Sequence, residues 1–355
     1  MVDYKKSMTG KIEKQPIDVV IPWVDDSDPQ WIDSRAEYLG EFHENKSKLE
    51  HYFRDWDTLK YVFRGIEKNM PWIRYVHFIT CGHVPTWLNV GAPKLKFHKH
   101  NDFFTEDSEL PTFSSRPIEM NLMNIPGLAE KFIYFNDDTV VIKPITPERF
   151  FKNDLPIDYL VLDFPRGGWL YDRIRIKDPY AQTVKNSIKL LNKVYPLKKL
   201  YSASPELFHD GSYPYSDRLR NKFLNLIGKY KWIKVNHNPQ PLLLSNLKEC
   251  ERLFPNEISE TRKHRFREYN DLNQYLFRDI ALMSGRFQPH YFNDDFCFVL
   301  ASVDSYNRDR HFLKEKNFIC LNDTSFLSKD EYPRLRKLVI EDMENIFPEK
   351  SSFEK

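Results

Sequence analysis

Three clusters of oxygen-bearing side chains stand where apolar runs stop. Asp25-Asp26-Ser27-Asp28 follows "IDVVIPWV", Asn136-Asp137-Asp138 follows "KFIYF", and Asn322-Asp323 follows "NFICL". Singly, each is ordinary turn material, because Asn and Asp side chains hydrogen-bond to nearby backbone. Gathered in one crevice, the same oxygens suit a hard divalent cation, Mg2+ or Mn2+, that shares its coordination shell with the phosphates of a ligand. The chemistry to look for is metal-assisted handling of a phosphorylated substrate. Arg64, Arg116, Arg265 and Arg267 would complement it, since a guanidinium fork matches phosphate oxygens. His237, in "VNHNPQP", offers an imidazole that moves protons near neutral pH. Each has a plainer reading too: rim or surface charge for the arginines, a structural hydrogen bonder for the histidine.

Such residues need a frame that brings them together. "IDVVIPWV" (17–24), "RYVHFIT" (74–80), "KLKFH" (94–98) and "KFIYFN" (131–136) read as short buried strands. Between them, Leu59, Val62, Phe63 and Ile66 fall at helical spacing, and "SSRPIEMNLMNI" (114–125) reads as a helix capped by Ser114 or Ser115 with Pro117 in its first turn. Strands alternating with helices predict an α/β fold with a mostly parallel sheet. In such sheets the ligand crevice lies beyond the carboxyl ends of the strands, where the three clusters fall. The expected organisation is a polar leader (1–16), an α/β part (17–150), a mainly helical part (151–285) and a return to the α/β core (286–330). A C-terminal amphipathic helix (331–355) closes the chain. In the helical part, "DYLVLDF" and "WIKVN" are short strand candidates.

Composition narrows the function. The chain has 355 residues, 41% hydrophobic and 29% charged, which is globular material for one large domain or two smaller ones. A net charge of +2 gives no drive toward a nucleic-acid polyanion, and no such partner is expected. Aromatics reach 15% and sit beside charges in "HYFRDW" and "YFNDDF", a mixture suited to stacking on sugars or bases. Cys81, Cys250, Cys297 and Cys320 are scattered without a CxxC pair, so neither a zinc finger nor a disulfide framework is expected. No apolar leader or membrane-length apolar run is present, which predicts a cytoplasmic enzyme. The C-terminal helix or a basic face is the expected route to peripheral contact with the inner membrane surface.

"IDVVIPWVDDSDPQW", then "RDWDTLKYVFRGIEKNMPWIRYVHFITCGHVPTWLN" and "LPTFSSRPIEMNLMNIPGLAEKFIYFNDDTVVIKP", resemble the first two blocks of the Stealth family. "VNHNPQPLLLSNLKECERLFPNEISETRKHRFREYNDLNQYL" resembles the third block and "NFICLND" the short fourth. The resemblance implies a GT-A-like, Rossmann-type sheet. It also implies a sugar-1-phosphate transferase that uses a nucleotide-sugar, UDP-linked by expectation, and a glycan or lipid-linked glycan acceptor. By matching position it places Asp28 near the nucleotide-sugar, Arg64 and Glu119 in the second block, and Asp137-Asp138 at a metal and diphosphate station. His237, Arg267 and Asp271 match the third block, and Asn322-Asp323 a second arm of the metal site. Asp25, Asp26, Asn136, Arg116 and Arg265 are expected to line the substrate. The general base is His237, with Asp28 or Asp271 as alternatives; the metal ligand is Asp138, with Asp137 close behind. The sequence departs from the family pattern at Asp26, where a glycine is common, in "FSSRPIEM", and at His237-Asn238-Pro239. Two rival functions remain: a metal-dependent glycosyltransferase that releases UDP, and a non-catalytic glycan-binding protein.

Overall fold

The computed structural model describes residues 15–39, 56–164 and 179–355, so the leader 1–16 lies outside the described residues except for its last two. Strands β1 (Ile17–Pro22), β2 (Val76–Thr80), β3 (Leu95–Lys99) and β4 (Lys131–Tyr134) pair in parallel. A fifth strand of this sheet comes from the mainly helical part. It is β8 (Gln240–Leu243), antiparallel to β4, giving the order β3-β2-β1-β4-β8. Val19, Val20 and Ile21 are fully buried because both faces of the sheet are covered. The period of two sends Val19 and Ile21 to one core and Val20 to the other. Asp18, buried in this apolar strand, is closed by the Arg74 fork, His77 and the backbone amides of Tyr75 and Ala129.

The chain leaves β1 toward β2 on one side and returns from β3 to β4 on the other. The carboxyl ends of β1 and β4 therefore flank the point where strand order reverses, the position at which such sheets bind ligands. Three-residue β5 (Thr139–Val141) then turns away and pairs antiparallel with β11 (Phe318–Asp323), which pairs in parallel with β10 (Asp295–Leu300). A small sheet of β6 (Phe151–Lys152), β7 (Leu155–Asp158) and β9 (Gln288–Pro289) completes the strands among the described residues. "DYLVLDF" and "WIKVN" do not extend as strands; they meet at one bridge, Leu162 to Ile233.

The helix Leu59–Asn69 packs on β5, and Gly65 makes the close approach. A Cβ there would lie 2.6 Å from the Val141 carbonyl oxygen. The C-terminal helix Tyr332–Ile346 turns Leu335, Val339 and Met343 into the core shared with the second sheet. That corrects the expected membrane role of this helix: its apolar face is already covered.

Candidate active site

Two cavities meet at the carboxyl edge of the main sheet. The larger, about 610 Å³, is lined by Asp25, Asp26, Asp57, Asp137, Asp138, Asn322 and Asp323, with Trp23, Trp56 and Trp87 among its walls. The smaller, about 300 Å³, carries Arg35, Arg267, His100 and Glu119, with Trp31, Phe113 and Phe266. Trp23, Val24 and Asp137 line both. One side is thus acidic and the other basic and aromatic, with Asp137 between them.

The acidic side is assembled by three strand ends. After β1, Asp25 accepts hydrogen bonds from the Ser27 amide (3.0 Å) and hydroxyl (2.6 Å), a local turn that fixes its carboxylate. His83 Nδ1 accepts from the Asp25 amide at 2.8 Å, which places the ring proton on Nε2, 3.8 Å from Asp28 Oδ2. Asp28 itself sits at the start of the helix Pro29–Leu39, accepting from the Trp31 amide at 3.0 Å, and lines neither cavity. Across the crevice, the Leu321 amide donates to the Asp138 carbonyl at 2.9 Å, and this ladder bond sets Asn322 and Asp323 beside the β4 cluster.

Asp138 is met by three side chains. Thr139 Oγ1 donates to its Oδ1 at 3.1 Å and Cys320 Sγ to its Oδ2 at 3.2 Å, while His237 Nε2 lies 3.6 Å from Oδ1. Burial pushes the Asp138 carboxyl up, but the hydrogen bond and charge of His237, with the bonds from Cys320 and Thr139, leave it below the usual range. Burial would lower the His237 imidazole, yet the Asp138 hydrogen bond and charge raise it to about 9. Asp138, His237 and Cys320 bring one oxygen, one nitrogen and one sulfur within 4.8 Å of one another. No local signal points to Cys320, because its approach to Asp138 depends on β5 pairing with β11. That pairing joins segments nearly two hundred residues apart.

On the basic side, a clamp holds the loop that carries Arg267. Arg116 Nη1 donates to Asp271 Oδ2 at 2.7 Å and to the Glu268 carbonyl at 3.0 Å, and His264 Nδ1 lies 2.6 Å from Asp271 Oδ1. Arg265 Nη1 donates to the Pro111 carbonyl at 2.8 Å, and its guanidinium lies over the Tyr38 ring. Arg116, Asp271 and Arg265 therefore build the wall without lining either cavity. Glu119 does line the smaller one, fixed by the Gln274 amide at 2.7 Å and the Tyr134 hydroxyl at 3.4 Å, and burial raises its carboxyl. In the same cavity lining, buried His100 is pushed down to about 4, first by burial, and so stays neutral.

Arg64 is elsewhere. Its guanidinium bonds both Glu354 oxygens at 2.8 Å, Glu344 at 3.1 Å and the Phe347 carbonyl at 2.6 Å, and it lines neither cavity. Asp25, Asp26, Asn136, Asp137, Asp138, Glu119, Arg267, Asn322 and Asp323 line the cavities, and His237 reaches them through Asn136 Nδ2 (3.0 Å) and Asp138. Sequence reasoning missed Arg35, Asp57, His83, His100 and Cys320. Of these, Asp57 has a backbone signal in the structure, a left-handed φ of 57°, rare for a residue with a Cβ.

The family models for Stealth protein conserved region 1, conserved region 2 and conserved region 3 match residues 15–43, 52–157 and 236–276. The capsular polysaccharide phosphotransferase WcwK of Streptococcus pneumoniae is 34% identical over 348 residues, covering 96% of this chain and 98% of that protein. The receptor polysaccharide phosphotransferase WefC of Streptococcus oralis is 31% identical, covering 95% and 99%. Exopolysaccharide phosphotransferase cps2G of Lactiplantibacillus plantarum is 29% identical, covering 96% of each chain. Among solved structures, galactosyltransferase LgtC aligns with 92% of this chain and 95% of its own at 12% identity and a TM-score of 0.39, too distant a likeness to bear on the site. With matched regions that contain two of the three acidic strand ends and the His237 and Arg267 segments, and with relatives alike from end to end, this chain belongs to the Stealth family of bacterial polysaccharide phosphotransferases.

Proposed function

We propose that the protein transfers a hexose-1-phosphate, or its N-acetylhexosamine counterpart, from a UDP-sugar to a hydroxyl of a glycan acceptor, releasing UMP. The observation that carries this reading is the pair of cavities sharing Asp137, one lined by carboxylates and the other by Arg267 and Arg35. A diphosphate cannot approach four or more carboxylates unaided, so the acidic side calls for a cation. The oxygens of Asp138, Asn322 and Asp323 line one wall and fit a hard ion such as Mg2+ or Mn2+. When bound, such an ion supplies positive charge against the phosphate oxygens.

The remaining work falls to the chain. Trp23 and its neighbours offer faces for the base or sugar. Arg267, in the fork geometry that suits phosphate, holds non-bridging oxygens from the other side. The acceptor oxygen attacks the β-phosphorus, its proton passes to His237 Nε2, and the bond from the β-phosphorus to the α–β bridging oxygen breaks. The sugar keeps its anomeric oxygen, a phosphodiester forms, and UMP carries away the electron pair. This chemistry asks mainly for positioning and charge stabilisation. Arg64, closed into its own ion-pair cluster, is left out of this scheme.

A panel of nucleotide-sugars incubated with acceptor glycan in Mg2+ and in Mn2+, with nucleotide products separated, tests the proposal. UMP and a phosphodiester in the glycan are expected; UDP with a phosphate-free glycosidic bond overturns it.

A further inference from the structure

The helix Tyr215–Leu224 and the single turn Asn225–Ile227 after it are amphipathic in the wrong sense for a globular protein. The face turned inward is mostly polar. Asn221 accepts from the Leu162 amide and donates to the Leu160 and Phe208 carbonyls, and Asp217 binds Lys234, so buried polar groups pin the helix. The face turned outward is apolar: Tyr215, Leu219, Phe223, Leu226 and Ile227 are 70%, 43%, 75%, 77% and 50% exposed. At spacings of four, four, three and one, they form one continuous stripe. Scattered exposed apolar side chains need no explanation, but a contiguous stripe containing two aromatic rings marks an interaction surface.

Charge identifies what it faces. Exposed Lys222 lies on the helix itself, exposed Lys229 and Lys231 follow within four residues of Ile227, and the Lys198 stem lies against Gly228 in the turn, where an added Cβ would come within 2.8 Å of it. Residues 193–231 hold eight Lys and Arg against three acidic residues, a larger excess than the whole chain carries. An apolar ridge with aromatic side chains, with lysines close by in sequence, matches the boundary of an anionic bilayer, where rings sit at headgroup depth and ammonium groups meet lipid phosphates. A second copy fits less well, because a two-fold contact through this stripe would set its lysines against their own counterparts. We propose that this helix and turn dock the protein on an anionic lipid surface. Among the described residues no helix is long and apolar enough to cross a membrane, so the contact is peripheral. Ile227 lies ten residues before His237, a stretch of chain that spans at most about 35 Å. If the reading of the active site holds, docking brings it within reach of a lipid-linked acceptor.

The test is co-sedimentation of the full chain with vesicles of phosphatidylglycerol and phosphatidylcholine, against phosphatidylcholine alone, without any substrate. Binding to the anionic vesicles is expected at about 0.1 M salt and should fall sharply near 1 M. Phe223→Ser with Leu226→Ser, both at exposed positions, should weaken it by about tenfold or more with an unchanged melting temperature. Reversing Lys222, Lys229 and Lys231 to Glu should weaken it comparably on anionic vesicles. No binding by the natural chain, or equal binding by both variants, overturns the proposal. So does a concentration-dependent dimer that the Ser variant converts to monomer, which would assign the stripe to a second copy. Because the assay contains no nucleotide-sugar, failure here leaves the proposed reaction untouched, and failure of that reaction leaves docking untouched.

Discussion

His237 Nε2 faces Asp138 Oδ1 at 3.6 Å, and this pairing holds the imidazole proton up to about pH 9. An imidazolium cannot accept the acceptor's proton, so His237 serves as base only once the Asp138 charge is offset. The same pairing bears on Asn136: a charged ring needs the amide oxygen, rather than Nδ2, turned toward Nε2. With divalent ions chelated, NMR titration of the His237 ring should give a midpoint near 9 in the natural chain. In Asp138→Asn the largest raising influence goes while burial remains, so the midpoint should fall well below that value. A midpoint that stays put would detach the two residues. His237→Gln should lower kcat by about 10² to 10⁴ if the ring moves the proton.

Arg64 should behave as a structural residue. Its guanidinium closes Glu354, whose side chain is 4% exposed, and ties the C-terminal tail to the helix Leu59–Asn69. Arg64→Met leaves that carboxylate buried and unpaired, at a cost of about 3 to 5 kcal/mol. Glu344, much more exposed, adds little. Denaturant unfolding should show the loss, and Arg64→Met with Glu354→Gln should recover a good part of it. Turnover by the folded fraction should stay within a few-fold. A stable variant with a hundredfold slower reaction would return Arg64 to the phosphate.

The division between legible and illegible parts follows sequence distance. β1 to β4 and the helix Leu59–Asn69 could be read because alternation, helical spacing and turn residues are local signals. The strand ends at Asp25–Asp28, Asn136–Asp138 and Asn322–Asp323 were legible for the same reason. What local pattern does not encode is which segments pair. β10, in "NDDFCFVL", lies outside the strands that local pattern marks, and β8 sits within a mainly helical stretch. Arg64 and Asp271 looked like site residues by type and position. Their partners Glu354 and Arg116, distant in sequence, draw both into the framework. The C-terminal helix carries the amphipathic pattern of a surface-seeking segment, yet the core shared with the second sheet covers its apolar face, while the stripe at Tyr215–Ile227 stands exposed.

Arg267 and Asp271 should separate in their kinetic signatures. Arg267 lines the smaller cavity, so Arg267→Lys keeps the charge, loses the fork, and should lower kcat/KM by about 10- to 100-fold with no change in melting temperature. Asp271 is fully buried and holds Arg116, His264 and the Glu268 amide together. Asp271→Asn removes the charge opposite buried Arg116 and should cost about 3 kcal/mol of stability. The Arg267 loop would then be less well ordered, raising KM before kcat falls. A purely catalytic Asp271 would show the reverse, an unchanged melt with a collapsed kcat.

Gly65 sets two effects of known size against each other. In a helix interior, alanine is better than glycine by about 1 kcal/mol. Here the added Cβ would meet the Val141 oxygen at 2.6 Å and the Val141 nitrogen at 3.3 Å, both backbone atoms of β5 that cannot rotate aside. The same oxygen already accepts from Asn69 Nδ2 at 2.8 Å, so helix and strand are held at this distance from both ends of the last two turns. Overpacking of this kind costs about 1 to 3 kcal/mol, and more when only backbone can yield. Steric exclusion should win: Gly65→Ala should melt lower, against the propensity. β5 begins one residue after Asp138, so pushing it outward also shifts that carboxylate relative to Asp323. The half-saturating concentration of Mg2+ or Mn2+, measured by calorimetry on the folded variant, should therefore rise. Unchanged metal binding in a destabilised Gly65→Ala protein would separate the helix–β5 contact from the geometry of the site.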